Sequence, residues 1–400
     1  MKPQTLIYIA GSVGLIALAV GGWFFYQTIG FGVVPSTENT GESSQLIFGN
    51  TQTNSTAPNE VVKQISVEAT SSIPIFGKIV SEPVAGYMLY SDPKAGVVLI
   101  YTERGTGFVY SISLDSGVKS RLSNTTIPKT VESVFVSTTT VVVRYETEEG
   151  VQTLLGGIKS DKTLSGTILA SDIRQVVTDP TSQSIFYLRE VGGGVRGYIV
   201  KPKQNPKEIF SSPLREWSAS FLSKDKVLLV SSASSQATGR SILLDTSKGS
   251  EEVILSGLFG LGVLGDSGGT RFFYSESSGG TFVSTVLDSK RGTTTPSMLN
   301  TLSDKCGWGT GSKADVLFCA IPLAPNSGSY PDDWYMGLVH FSDDLWSFNA
   351  KSGQYKLLAS PRKEAGQSLD AIALSVSSDG QYLIFINKND LSLWSLRLKN

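Results

Sequence analysis

The run VVLIYTE at residues 97–103 returns six times in altered form: VVVRYET (141–147), SIFYLRE (184–190), VLLVSSA (227–233), RFFYSES (271–277), VLFCAIP (316–322) and YLIFINK (382–388). The run centres are Ile100, Val143, Phe186, Leu229, Phe273, Phe318 and Phe385, spaced by 43, 43, 43, 44, 45 and 67 residues. Each run is short, β-branched and aromatic, and bounded by turn formers. That pattern predicts a strand buried on both faces. A weaker strand follows several of them, as in GFVYSISLDSG (107–117), RSILLDTSKG (240–249), DDLWSFNAKSG (343–353) and LSLWSLRL (391–398). Asp-Ser-Gly, Ser-Lys-Gly and Lys-Ser-Gly then supply turns. A repeat of about 40–50 residues with several strands is the sequence signature of a β-propeller blade. Seven runs predict an all-β, seven-bladed β-propeller over 61–400. A solenoid of stacked β-repeats is the structural alternative. After Phe385 only one more strand fits, so the last blade lacks its outer strand. The stretch VVKQISV (61–67) is expected to supply it and close the ring.

Outside the repeats, the amino terminus reads as a membrane segment. No charged residue stands between Lys2 and Glu38, and an apolar run extends from Leu6 to Tyr26. At about 1.5 Å per residue it is long enough to cross a bilayer. Trp23, Phe24, Phe25 and Tyr26 suit an interface belt. The expected organisation is a short cytoplasmic end (1–4), a transmembrane signal anchor (5–27), a flexible linker (28–60) and the propeller. The linker is rich in Ser, Thr, Asn and Gly and cannot bury enough apolar surface to offset its ordering entropy. With Lys2 inside and the next basic residue at Lys63, the domain is expected outside the cytoplasm, periplasmic or at the cell surface. Ala17-Leu18-Ala19 keeps a cleaved signal peptide open. Either processing places the domain on the same side.

Composition narrows function by exclusion. Lys+Arg number 34 against 35 Asp+Glu, a formal charge of −1, which gives no basic footprint for nucleic acid. One histidine, His340, cannot build any site that needs two. It sits in GLVHFSDDLW, an alternating, strand-like stretch, and reads as a packed or surface residue. Gly265-Asp266-Ser267-Gly268-Gly269 spells a serine-protease nucleophile motif. However, His340 follows the serine, opposite to that family's chain order, so the five residues read as a turn. No phosphate-binding loop or His-Glu-x-x-His helix is present. No catalytic residue, cofactor site or metal site is assigned.

Cys306 and Cys319 are the only cysteines and are expected on neighbouring strands as a disulfide, which an extracytoplasmic setting permits. The last repeat interval carries about 22 extra residues, located between Ile321 and Phe341. Long loops in compact repeats are often functional. This one contains Tyr330, Asp332, Asp333, Trp334 and Tyr335, the candidate partner-binding residues, since Tyr and Trp are enriched in binding hot spots. The competing reading is a long hairpin that covers the end of the propeller channel. Asp332, Asp333, Asp343 and Asp344 form an acidic group. It could serve calcium or carboxylate-pair chemistry on a glycan, though no calcium loop pattern is present.

The closing segment SSDGQYLIFINKNDLSLWSL (377–396) resembles the Ser-x-Asp-Gly-x-Tyr-Leu-x-Phe pattern of TolB-like and WD-repeat-like propellers. TGFVYSI with RLSNTTIPK (121–129), DKCGWG…LFCAIP (304–322) and YPDDWYMGLVHFSDDLWSFNAKSG (330–353) resemble a group of largely uncharacterised, membrane-anchored bacterial propeller proteins. The resemblance implies a propeller on the outer face of a membrane and brings no activity. No blade has the Gly-His…Trp-Asp pair of a true WD repeat, so no adaptor role carries over. The expected function is a protein-binding or assembly module in the cell envelope. A propeller-type glycan hydrolase or lyase and a purely structural envelope protein are the alternatives.

Overall fold

The structure is a computed structural model that describes residues 73–179 and 181–398. The expected cytoplasmic end (1–4), membrane helix (5–27) and linker (28–60) lie outside the described residues. So does the 61–67 stretch. Among the described residues no helix is long and apolar enough to cross a membrane.

Among the described residues, twenty-eight strands form seven antiparallel four-stranded sheets, the blades of a β-propeller. Blades 1 to 6 span 84–121, 130–168, 173–212, 217–259, 262–296 and 306–359, each a meander of consecutive strands. Blade 7 takes three strands from 371–397 and its outermost strand from Phe76–Val80. The seven apolar runs are all the second strand of a blade: Gly96–Glu103, Thr140–Thr147, Ser184–Val191, Lys226–Ser231, Arg271–Ser278, Val316–Pro322 and Tyr382–Asn387. The weaker strands read after them are third strands.

The second strand is apolar at successive positions because its two faces serve two neighbours. In blade 1, Val97, Leu99 and Tyr101 pack toward blade 7, while Ile100 joins the core shared with blade 2. Burying a Leu, Ile or Val in this way contributes roughly 1.5–3 kcal/mol. Two of the fourth strands, Lys119–Arg121 and Thr293–Pro296, are exposed throughout. First strands of adjacent blades approach one another at the inner ring. At Gly86 a Cβ would lie 2.0 Å from Ser133 O, and at Gly307 2.2 Å from Leu374 O. Only glycine allows these backbones so close.

The ring closes as the sequence implies, but through other residues. Phe76–Val80 pairs antiparallel with Leu393–Arg397, with Phe76 opposite Leu396 and Lys78 opposite Trp394. Phe76 packs on Trp394 at 5.6 Å between ring centroids, and Lys78 Nζ is 3.0 Å from Asp390 Oδ2. Only residues 81–83 separate this strand from blade 1. The closing strand is therefore the one directly beside the first blade, not the 61–67 stretch further upstream.

Candidate functional site

Alternate connections in a four-stranded meander emerge on opposite faces. The excess residues lie inside blade 6, as the connection 323–342 between its second strand (Val316–Pro322) and third strand (Asp343–Asn349). They therefore emerge on the face that also carries the links between successive blades. The insert holds a one-turn helix, Asp332–Tyr335.

Two of the candidate hot-spot aromatics turn inward. Tyr330 and Trp334 are 1% and 2% exposed and build a small core with Phe282, Leu302 and Phe341. Tyr330 stands edge-on to Phe282, and Trp334 lies parallel to Phe341. The acidic residues are tied to different partners. Asp332 Oδ2 accepts the Ser235 N–H of blade 4 at 2.6 Å, and Asp333 Oδ2 accepts the Ser329 N–H at 2.8 Å. Asp344 accepts the Ser360 hydroxyl at 2.7 Å, and Asp343 is buried. These four carboxylates are thus not assembled as one cluster. Among the described residues, no group of three or more His, Cys, Asp or Glu is placed to hold a metal ion.

Further contacts pin the insert across blades 4 to 7. Gly328 N–H donates to Gly280 O of blade 5 at 2.8 Å, and the Ser277 hydroxyl donates to Tyr330 O. Lys388 Nζ of blade 7 donates to Trp334 O at 2.9 Å. The Tyr335 hydroxyl donates to Asp304 Oδ2, just ahead of the first strand of blade 6, at 2.7 Å.

At the base of the insert sits a fully buried polar centre. Lys305 Nζ lies 2.8 Å from Asp343 Oδ2 and 2.5 Å from Asp370 Oδ1, and all three side chains are 0% exposed. Asp370 also accepts the Trp334 indole N–H at 2.9 Å and the Phe341 N–H at 3.1 Å. The ammonium stands 5.3 Å from the ring centroids of both Trp334 and Phe341. Burial pushes the Asp343 carboxyl up to about 6, with the Lys305 charge restraining the rise. Lys305 and Asp370 were not marked by any sequence motif. Each precedes the first strand of its blade, 65 positions apart, and only the fold joins them.

The insert leaves an apolar tip exposed: Tyr335 at 47%, Met336 at 64% and Leu338 at 70%. Beside Tyr335 opens a cleft of about 310 Å³ between blades 4 and 5, lined among others by Ser231, Leu261, Val263 and Asp304. Met336 and Leu338 flank the quoted hot-spot residues, yet binding composition alone pointed to Tyr and Trp.

The remaining sequence candidates resolve simply. Cys306 and Cys319 are bonded, S–S 2.04 Å, as directly opposed residues of the first two strands of blade 6. Their Cα atoms are 4.1 Å apart, just below the usual range of about 4.4–6.8 Å. His340 is exposed in an irregular segment, not in a strand as its alternating surroundings suggested; the strand starts at Asp343. Its neighbours Val339 and Phe341 pack on the insert's own core, which produces the alternation without a ladder. The Gly265–Gly269 motif is the turn between the first two strands of blade 5. Asp266 there accepts from the Thr270 N–H, the Arg271 N–H and Arg271 Nε.

No protein-family model matches the chain, and no curated protein matches it either. Many solved structures do. An oligogalacturonate lyase from Vibrio parahaemolyticus is similar with a TM-score of 0.52 at 9% identity, over 82% of this chain and 93% of that one. The propeller domain of the Trilobed protease from Pyrococcus furiosus is similar with a TM-score of 0.50 at 13% identity, over 78% and 95%. TolB from Acinetobacter baumannii has a TM-score of 0.41 at 12% identity, over 78% and 79%. At such identities the likeness speaks to the fold alone. The protease domain is described as having an open velcro topology, whereas here Phe76–Val80 zips onto the carboxy-terminal strand.

Proposed function

We propose that the protein is a membrane-tethered propeller, outside the cytoplasm, that binds a protein partner of the cell envelope through the insert of blade 6. The observation that carries this reading is the exposed Tyr335-Met336-Gly337-Leu338 tip on a buried, multiply hydrogen-bonded base. An exposed apolar tip held rigidly binds with little ordering cost, because its support is already fixed before the partner arrives. The adjoining cleft offers a concave surface next to a tyrosine, whose hydroxyl and ring suit mixed contacts. The charge-free, apolar stretch 5–27 supports a tether, and the disulfide fits an oxidising compartment.

The test is a cross-linked pull-down from membranes comparing the full chain with a Met336→Asp, Leu338→Asp double variant. Both positions are exposed, so the fold should survive, and circular dichroism checks this. A partner captured by the parent and lost from the variant supports the reading. An unchanged partner set overturns the insert as the contact surface. Recovery of the full chain in the soluble fraction overturns the tether.

A further inference from the structure

The Lys305–Asp343–Asp370 centre is unusual in its charge count. Two acids and one base are buried without solvent contact, and desolvation costs several kcal/mol per ion. With all three ionised, one negative charge remains in excess. The two acids are also unequal. Asp370 accepts from Lys305, from the Trp334 indole and from the Phe341 backbone, so both of its oxygens have partners. Asp343 accepts from Lys305 and from the Ala371 N–H through Oδ2 only, at 2.8 and 2.7 Å. Its Oδ1 is buried with no hydrogen-bond partner. An unpartnered buried oxygen is costly, and its loss would be favourable. Burial pushes the Asp343 carboxyl up to about 6, which makes its neutral acid form accessible.

We propose that Lys305 and Asp343 join covalently in an intramolecular amide, with Asp370 taking the proton that frees the amine. Lys305 Nζ passes a proton to Asp370 Oδ1, leaving a neutral amine in contact with the protonated Asp343 carboxyl. The amine lone pair attacks Asp343 Cγ and forms the N–C bond. The electron pair of the C=O bond moves to Oδ2, where the Ala371 N–H receives it as an oxyanion hole would. The Oδ1 hydroxyl takes a proton from the adduct nitrogen on the same carbon, the C=O bond re-forms from Oδ2, the Cγ–Oδ1 bond breaks, and water leaves. Asp370 keeps the proton it first took and ends protonated. An ammonium, a carboxylate and a carboxylic acid become an amide, a carboxylic acid and one water, so atoms and charge balance. No oxidant or cofactor is required. Fixed proximity in a dry site supplies the rate, since well-oriented intramolecular groups gain effective molarities of roughly 10⁵–10⁸ M. Phe341, Trp334 and the rest of the insert core exclude water and so oppose hydrolysis. The bond would tie the entry of the first strand of blade 6 to the start of its third, at the root of the insert.

Intact mass and peptide mapping of the reduced, alkylated full chain test this. The expected mass is one water below that of the sequence. Trypsin should fail to cut after Lys305, and peptides 292–313 and 314–351 should travel as one branched species linked between Lys305 and Asp343. Release of a peptide 292–305 ending at an unmodified Lys305 overturns the proposal. A water loss mapped to another pair, Lys305–Asp370 included, overturns it too. In the Asp370→Asn chain the branched species should disappear and the sequence mass return. A bond that persists there removes Asp370 from its role. The parent digest decides the main point whether or not that variant folds.

Discussion

Blades 5 and 6 are neighbours with the same four-stranded plan, and they differ in one connection. In blade 5 the second and third strands are joined by Gly279 and Gly280, both with positive φ, in the tightest hairpin the meander allows. In blade 6 the same connection runs 323–342 and carries its own core of Tyr330, Trp334 and Phe341. The short turn has no core of its own and accepts one bond from the insert, Gly328 N–H to Gly280 O. The long one is stabilised by side chains that reach four blades. An insertion in a repeat array thus acquires a second, local core before it can present anything on its surface.

The comparison yields expectations of decreasing size. Trp334→Ala removes a buried indole and its bond to Asp370. It should destabilise the domain by about 3–5 kcal/mol, measured by denaturant unfolding. A loss under about 1 kcal/mol would show that the insert core is not coupled to the ring. Replacing both Cys306 and Cys319 by Ser opens a loop with a sequence separation of 13. That should cost about 3 kcal/mol on chain-entropy grounds. Blade 5 has no such cross-link, so in that variant hydrogen-exchange protection should fall in blade 6 and not in blade 5.

Asp266→Asn, in the first turn of blade 5, should cost roughly 1–2 kcal/mol at neutral pH, because hydrogen bonds from a charged group are partly lost. Burial works against the Asp266 carboxylate. Its bonds from the Thr270 and Arg271 N–H groups and the Arg271 guanidinium nevertheless hold it below the usual value. A depressed carboxylate contributes stability that is complete above its unfolded pKa, about 3.9, and disappears as pH falls through the folded value. The difference in Tm between parent and Asp266→Asn should therefore be constant from about pH 5 to 8 and close below about pH 4. A difference that instead widens in acid would assign the effect to Asn packing rather than charge.

How much of this was legible depended on whether a residue's partner lay nearby in the chain. Second strands stand out because Leu99 and Ile100, or Leu228 and Leu229, face two neighbouring blades and so are apolar at successive positions. Fourth strands such as Lys119–Arg121 are exposed and look like loop. The closing strand FGKIV carries little sequence signal, because its half-buried pattern is weak and its partner lies more than 300 positions away, at Leu393–Arg397. The cysteine pair was readable from a sequence separation of 13 and a turn. The place of the insert was readable from the repeat spacing. Its orientation was not, since Trp334 turns inward to meet Asp370 and Lys305, which belong to two other connections. Aromatic composition is the same for a buried wedge and an exposed anchor.

The strand Phe76–Val80 has a consequence in time. Its cross-link to the last blade, Lys78 to Asp390, spans 312 positions. At roughly 5–20 residues per second, synthesis takes about 15–60 s to bring the partner strand out of the ribosome. Throughout that interval the first strand is made and waiting, with the hydrogen-bonding edge it will offer Leu393–Arg397 unoccupied. The nascent chain is an open arc until Leu393–Arg397 arrives, and truncation before Leu393 would leave it one permanently.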